Sequence, residues 1–409
     1  MKKLIAFLII FLGFFPGKVL ADDFNVSAKH AIAVEATTGK ILYEKDATTP
    51  DGIASITKIL TVYLVYKEIH EKKLNWHTKV KISDYAYDLT ANSDASNVPM
   101  EAREYTVEQL VNAAMVASAN SAAIALAEKI GGTESKFVDM MKSQLKEWGI
   151  TDATIVNASG LNNSYLGNNT YPGSSSTAEN LMSAQDIAII AQHLTTEYPD
   201  ILKITSQRTA DFAGTSMSTY NYMLSGMPYE RSGVDGLKTG TTDLAGACFV
   251  ATSKENGMPI ISVVMNADDW KDDEYARFKA TNDLLNHVSS TYEMVTLVEK
   301  GQVFNNDKAS VVDGKSKSVI AVASKDFQVV HKIKSDVTAK FETKKDGYFA
   351  PISKGQLVGK LIYKDTQLVG TGYLQAAPSV SVIAKNRVEK SVFLKVWWNH
   401  FVNYVNDAL

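Results

Sequence analysis

Residues 56–69 run Ile-Thr-Lys-Ile-Leu-Thr-Val-Tyr-Leu-Val-Tyr-Lys-Glu-Ile with no glycine or proline, and are apolar nearly all round. A helix without a polar stripe has no face to give to water, so the rest of the chain must surround it. That requires a large core. At 409 residues and 45% hydrophobic content the chain can build one, and the length suggests two or three domains. Cys248 is the one cysteine, so no intramolecular disulfide can assist. It lies in the apolar run Gly246-Ala247-Cys248-Phe249-Val250, which marks it as a buried packing thiol rather than a nucleophile. The net charge of -3 supplies no basic excess to neutralise a phosphate backbone, so nucleic acid is not an expected partner.

The N-terminus has the parts of a secretory signal: Lys2 and Lys3, an apolar run from Leu4 to Phe15, and small-residue processing chemistry ending at Ala21. Export and cleavage after Ala21 are expected. From Phe24 to His287 strand and helix signals mix, opening on a hairpin of residues 31–34 and 41–43 around Thr38-Gly39. Helices are predicted over 107–117, where Thr106 and Gln109 are placed as a capping box, over 121–130 ended by Gly131-Gly132, and over 184–193. Residues 157–180, dense in Asn, Ser and Gly, read as a long surface loop. Two strands joined at Asn256-Gly257 are expected within 237–265.

After about Tyr292 short β-branched runs separated by charged or glycine turns predict a smaller all-β domain. The last stretch, 386–409, reads as one amphipathic helix with Phe393, Leu394, Trp397, Trp398, Phe401, Val402, Tyr404 and Val405 on one arc. Its repeated Asn residues disfavour a transmembrane span, while the one-sided aromatics and nearby Lys385, Arg387 and Lys390 suit a helix lying in a membrane interface. A helix docked on its own domain would show the same pattern. The expected division is therefore 1–21 signal peptide, 22–290 catalytic domain, 291–385 β-rich domain and 386–409 anchoring helix.

Ser55-Ile56-Thr57-Lys58 opens the buried helix, and a spacing of three puts the Lys58 amine on the face that carries the Ser55 hydroxyl. A nucleophile and a base can meet there, with the helix dipole favouring developing negative charge. Ser-x-x-Lys arises about twice by chance in a chain of ordinary composition. Ser143-Gln144-Leu145-Lys146 is a second copy, in a charged helix over 134–148 where it reads as a solvated face. What distinguishes the first copy is the ordered set that follows it, Ser118-x-Asn120 at a helix junction and Lys238-Thr239-Gly240 on a strand. No metal-ligand spacing is present, and no cofactor is implied.

On these motifs the chain resembles the low-molecular-mass penicillin-binding proteins that are D-alanyl-D-alanine carboxypeptidases, related in fold to serine β-lactamases. The resemblance extends to Asn157-Ala158-Ser159-Gly160-Leu161, the helix start Ser183-Ala184-Gln185-Asp186, Asp235-Gly236, the β-rich domain and the terminal helix. It implies an α+β fold, an antiparallel sheet with a helical cluster, followed by the all-β domain. It further implies Ser55 as nucleophile, Lys58 as its base, Ser118 as proton relay and Asn120 as a holder of the substrate carbonyl. Lys238 and Thr239 would recognise the terminal carboxylate with help from Arg277, placed by alignment. The backbone N–H groups of Ser55 and Thr241 would form the oxyanion hole, and Gly240 would let a peptide approach as an added strand. The implied substrate is a peptidoglycan stem peptide ending in D-Ala-D-Ala, with β-lactams as covalent inhibitors, at the outer face of the cytoplasmic membrane.

Such chemistry needs a neutral lysine. Lowering a pKa near 10.4 by about three units requires about 4 kcal/mol from the environment, which burial beside Lys238 would supply. Two alternatives stay open: a β-lactamase-like hydrolase, although the region around Thr154 lacks the glutamate of the class A pattern, and a non-catalytic cell-surface binding protein.

Overall fold

The structure, a computed structural model, describes residues 24–408. The expected export signal, residues 1–21, lies outside the described residues. The predicted hairpin is β1 (Ala28–Glu35) and β2 (Ile41–Lys45), turning at Gly39 with φ 71°. Three further strands, β3 (Gly236–Thr242), β4 (Gly246–Glu255) and β5 (Met258–Ala267), complete an antiparallel sheet in the order β2–β1–β5–β4–β3. Two strands were expected where three are found. The run breaks at Asp243–Ala245, before Gly246 at φ 62°, and β3 folds back on β4 there. Asn256 and Gly257 both take positive φ, as the tight turn between β4 and β5 demands.

Both faces of this sheet are buried, and alternation along each strand divides its side chains between two cores. Ile32, Val34, Cys248, Val250, Ile261 and Val263 face one, while Ala31, Ala33, Phe249, Ala251, Ile260 and Val264 face the other. The first core is covered by a helical cluster: α1 (Lys58–His70), α2 (Asp84–Asp88), α3 (Val107–Val116), α4 (Asn120–Gly131), α5 (Glu134–Glu147), α6 (Ala184–Glu197) and α7 (Ile201–Thr205). The second is covered by α8 (Ala276–Thr291), through Phe278, Leu284, Leu285 and Val288.

Every residue of α1 from Lys58 to Tyr66 is buried, as its unbroken apolar surface requires. Capping boxes start α3 (Thr106 with Gln109) and α6 (Ser183 with Asp186), and Gly132 at φ 77° ends α4. The expected surface loop 157–180 holds for its middle, where most residues from 164 to 177 are exposed, and fails at its ends. Asn157, Ala158, Ser159, Asn163 and Asn180 are buried in it. Burial is possible because Asn side chains satisfy the backbone: Asn157 Oδ1 accepts from Gly160 N (2.6 Å), and Asn180 Oδ1 from Val156 N (2.7 Å).

Beyond α8, Tyr292–Val298 pairs with Phe327–Lys332. A six-stranded sheet runs in the order Ala339–Glu342, Leu357–Tyr363, Ser379–Ala384, Ser318–Ala323, Lys308–Val312, Tyr348–Phe349, around its own core of Val329, Ile352, Val358 and Leu361. This all-β part meets the β1–β2 turn through Lys40. Its fully buried amine lies 2.6 Å from Asp365 Oδ2 and 2.9 Å from the Val330 carbonyl, and Tyr373 donates to the same carboxylate. The terminal helix α9 spans Phe393–Ala408 rather than starting at 386. Val388 bridges to Ile352 and Lys390 to Gly314, so isolated β-bridges pin this stretch to the all-β part. Among the described residues no helix is long and apolar enough to cross a membrane.

Candidate active site

Ser55 does not open an α-helix. It lies in a 3-10 turn, Ala54–Thr57, which runs into α1 at Lys58. In a 3-10 turn residues three apart nearly eclipse one another, so the serine and lysine stack more directly than an α spacing would bring them. Lys58 Nζ is 2.9 Å from Ser55 Oγ. Ala54 holds φ 47° and Ser118, at the junction of α3 and α4, holds φ 58°, both left-handed values that cost a non-glycine residue free energy and concentrate at functional sites. The turn at Ser118 brings Asn120 to the head of α4, where its Oδ1 accepts from Lys58 Nζ at 2.7 Å. A third acceptor, the Ser159 carbonyl, lies 2.8 Å from the same amine.

A neutral lysine amine has two N–H bonds and one lone pair. With the Asn120 and Ser159 oxygens taking the two N–H bonds, the lone pair is left for the Ser55 hydroxyl. The electrostatics favour that neutral form. Burial first, and the Lys238 charge second, hold Lys58 well below the ordinary lysine range. Burial, with the Arg277 guanidinium second, brings Lys238 down to about 7.

A cleft of about 300 Å³ opens over Ser55 and is lined also by Ser96, Ser118, Tyr220, Tyr222, Thr239, Gly240, Thr241 and Arg277. Lys238, Thr239, Gly240 and Thr241 sit on β3, along the flank of the Ser55 turn. Arg277, from α8, donates to the Gly240 carbonyl (2.8 Å), the Cys248 carbonyl (3.1 Å) and Thr241 Oγ1 (2.7 Å), which ties the helix to this strand at the cleft wall. Lys238 Nζ donates to the Thr239 carbonyl at 2.9 Å. Gly240 has a second use beside the one its motif suggested. A Cβ there would lie 3.0 Å from Ser55 N and 2.9 Å from the Ile53 carbonyl, so the missing side chain lets β3 close on the Ser55 turn.

All nine residues singled out from the sequence therefore lie in or beside one cleft. The second Ser-x-x-Lys does not join them: Ser143 and Lys146 are exposed on α5. Cys248 is buried behind β3, its thiol pushed up to about 11 by that burial. Three contributors carry no motif of their own. The Ser96 carbonyl accepts from both the Asn120 side chain and its backbone N–H, each at 2.9 Å. Asn180 Nδ2 donates to Thr57 Oγ1 and to the Asn157 carbonyl, each at 2.9 Å, tying the buried loop to the nucleophile turn. Tyr222 forms part of the cleft wall. Only the density of Asn in the loop hinted at such a role.

A serine 2.9 Å from a buried lysine whose pKa that burial lowers, beside a second lysine on the adjacent strand, is the arrangement of serine acyl-transfer enzymes that work without histidine. The comparisons narrow the class. The chain belongs to the D-alanyl-D-alanine carboxypeptidase family, whose model matches residues 18–269. A second model, the penicillin-binding protein 5 C-terminal domain, matches residues 292–390. The D-alanyl-D-alanine carboxypeptidase DacF of Bacillus subtilis is 31% identical over 412 residues, covering 96% of each chain. The crystal structure of PBP3 from Streptococcus pneumoniae, described as a peptidoglycan synthesis regulatory factor, superposes with a TM-score of 0.84 at 52% identity, over 90% of this chain and all of that one. An ampicillin-bound structure of penicillin-binding protein D2 from Listeria monocytogenes matches with a TM-score of 0.54 at 28% identity, over 64% of this chain and 97% of that one.

Proposed function

We propose that this chain is a serine D-alanyl-D-alanine carboxypeptidase acting on peptidoglycan stem peptides, with Ser55 as its nucleophile. The observation that carries the assignment of roles is the buried Lys58 amine, 2.9 Å from Ser55 Oγ and held below the ordinary lysine range by that burial. Ser55 Oγ adds to the carbonyl carbon of the penultimate D-alanine while its proton passes to Lys58 Nζ. The oxyanion forms against the backbone N–H groups of Ser55 and Thr241. The C–N bond then breaks as Ser118 relays the proton from Lys58 Nζ to the departing amine, which returns Lys58 to its neutral form. Water, deprotonated by Lys58, attacks the ester and frees Ser55. Asn120 orients both lysine and substrate, and Lys238, Thr239 and Arg277 hold the terminal carboxylate. A β-lactam, whose strained amide occupies the same place, acylates the same serine.

Residues 22–290 serve as the catalytic domain, 291–390 as the β-rich domain and α9 as an anchor at the outer face of the cytoplasmic membrane after removal of residues 1–21. The support for the anchor is an unpartnered aromatic face on α9: Phe393 is 78% and Tyr404 73% exposed, with Trp397, Trp398 and Phe401 beside them. Loss of residues 391–409 is expected to abolish cosedimentation with anionic lipid vesicles and leave turnover intact; undiminished cosedimentation would refute the anchor.

The activity is tested by measuring free D-alanine released from an N-acylated peptide ending in D-Ala-D-Ala. Wild-type protein should release it and Ser55→Ala should not. Equal release by both would remove Ser55 from the mechanism.

A further inference from the structure

Glu134, the first residue of α5, is buried although it is a carboxylate, and nothing in the reaction described above uses it. Its two oxygens are committed to different neighbours. Oε1 accepts from the Ala158 backbone N–H at 2.9 Å, and Oε2 from the Tyr85 hydroxyl of α2 at 2.8 Å. The carbonyl of Ala158 is held from the opposite side by Thr61 Oγ1 of α1 at 2.7 Å. Ala158 is thus clamped between two helices. The next residue presents the Ser159 carbonyl to Lys58 Nζ. A chain of direct contacts runs from Glu134 through one residue of backbone to the base.

We propose that Glu134 is a positioning residue for the Ser55–Lys58 pair, clamping Ala158 so that the Ser159 carbonyl takes one lysine N–H and the lone pair stays on Ser55. The inference rests on the acyl-enzyme reading and extends it to a residue that never touches substrate. Burial pushes the Glu134 carboxyl up to about 7. Both of its protonation states keep an oxygen able to accept from Ala158 N–H. Glutamine can do the same, and its NH2 group can donate to the Tyr85 oxygen, so the amide should replace the acid. Alanine cannot.

The bland alternative is a buried polar group that merely stabilises the fold. Two readouts separate the cases. Freed from its clamp, the Ser159 carbonyl no longer fixes the amine, so the plateau rate constant for Ser55 acylation should fall about tenfold, a single misoriented hydrogen bond's worth. The carbonyl also stabilises the ammonium form of Lys58, so its loss should move the acid limb of the pH profile to lower pH.

The experiment measures fluorescent-penicillin acylation of the full chain across pH for wild type, Glu134→Ala, Glu134→Gln and Thr61→Val. The expected result is the paired loss and limb shift in Glu134→Ala, near-wild-type behaviour in Glu134→Gln, and the same limb shift in Thr61→Val, which loosens the other side of the clamp and serves if the alanine variant does not fold. A wild type that labels at Ser55, with plateau and limb unchanged in Thr61→Val and in any folded Glu134→Ala, would overturn the role of Glu134. A wild type that does not label overturns the acyl-enzyme reading itself.

Discussion

Replacing Gly240 by alanine tests how closely β3 must approach the nucleophile turn. The added Cβ would lie 2.9 Å from the Ile53 carbonyl oxygen, 3.0 Å from Ser55 N and 3.1 Å from Ile56 N. Ordinary carbon contacts begin near 3.4 Å, so strand and turn must separate by about 0.4 Å. All three opposing atoms are backbone, and no flexible side chain can absorb the shift. Overpacking of this kind costs about 1–3 kcal/mol. The misplacement falls on Ser55 and on the backbone N–H proposed as an oxyanion donor. If about 1 Å of displacement costs a hundredfold in rate, 0.4 Å costs about five- to tenfold. The assay is the second-order rate constant for fluorescent-penicillin labelling, paired with thermal melts by circular dichroism. Acylation and melting temperature both at wild-type values would refute the close-approach explanation of Gly240.

Other consequences can be checked with single variants. Acylation requires neutral Lys58, so its rate should rise with pH through the Lys58 pKa; Lys238→Met removes the charge that helps depress that pKa, and the acid limb should move to higher pH. An unmoved limb would mean that the two amines are not coupled. Asp365→Ala leaves the Lys40 amine buried without its carboxylate, 2.6 Å away in the native protein, and should destabilise by about 3–5 kcal/mol, as unpaired buried charges do. A calorimetric loss below about 1 kcal/mol would contradict that pairing. The Cys248 thiol, buried and raised to about 11, should resist an aromatic disulfide reagent in the native protein and react once the chain is unfolded; rapid native reaction would show the site to be open.

What could be read from the sequence was what local chemistry dictates. The Thr106–Gln109 capping box, the Thr38-Gly39 and Asn256-Gly257 turns and the all-apolar α1 each announce themselves within a few residues. The Ser55-x-x-Lys58, Ser118-x-Asn120 and Lys238-Thr239-Gly240 motifs were visible as an ordered set, and the structure gathers them at one cleft. What escaped depends on partners distant in sequence. A 3-10 turn under Ser55 cannot be told from an α-helix start by residue spacing three apart, since both place Ser55 and Lys58 on one side. The Asn157–Asn180 segment reads throughout as a surface loop because polar composition suggests exposure, which holds for its middle, yet at its ends the amides satisfy the backbone and allow burial. The Ser96 and Ser159 carbonyls act through the backbone, where residue type carries no signal. The start of α9 was placed too early because Val388 and Lys390 fit an amphipathic period as well as they fit the β bridges they make.

The proposed mechanism stands or falls on Ser55 as the nucleophile of acyl transfer. It is tested most directly by incubating the chain and its Ser55→Ala variant with a fluorescent penicillin and mapping the modified peptide by mass spectrometry. The account predicts a stable adduct on Ser55 in the wild type and none in the variant. Labelling at another residue, or none in folded wild-type protein, would contradict it.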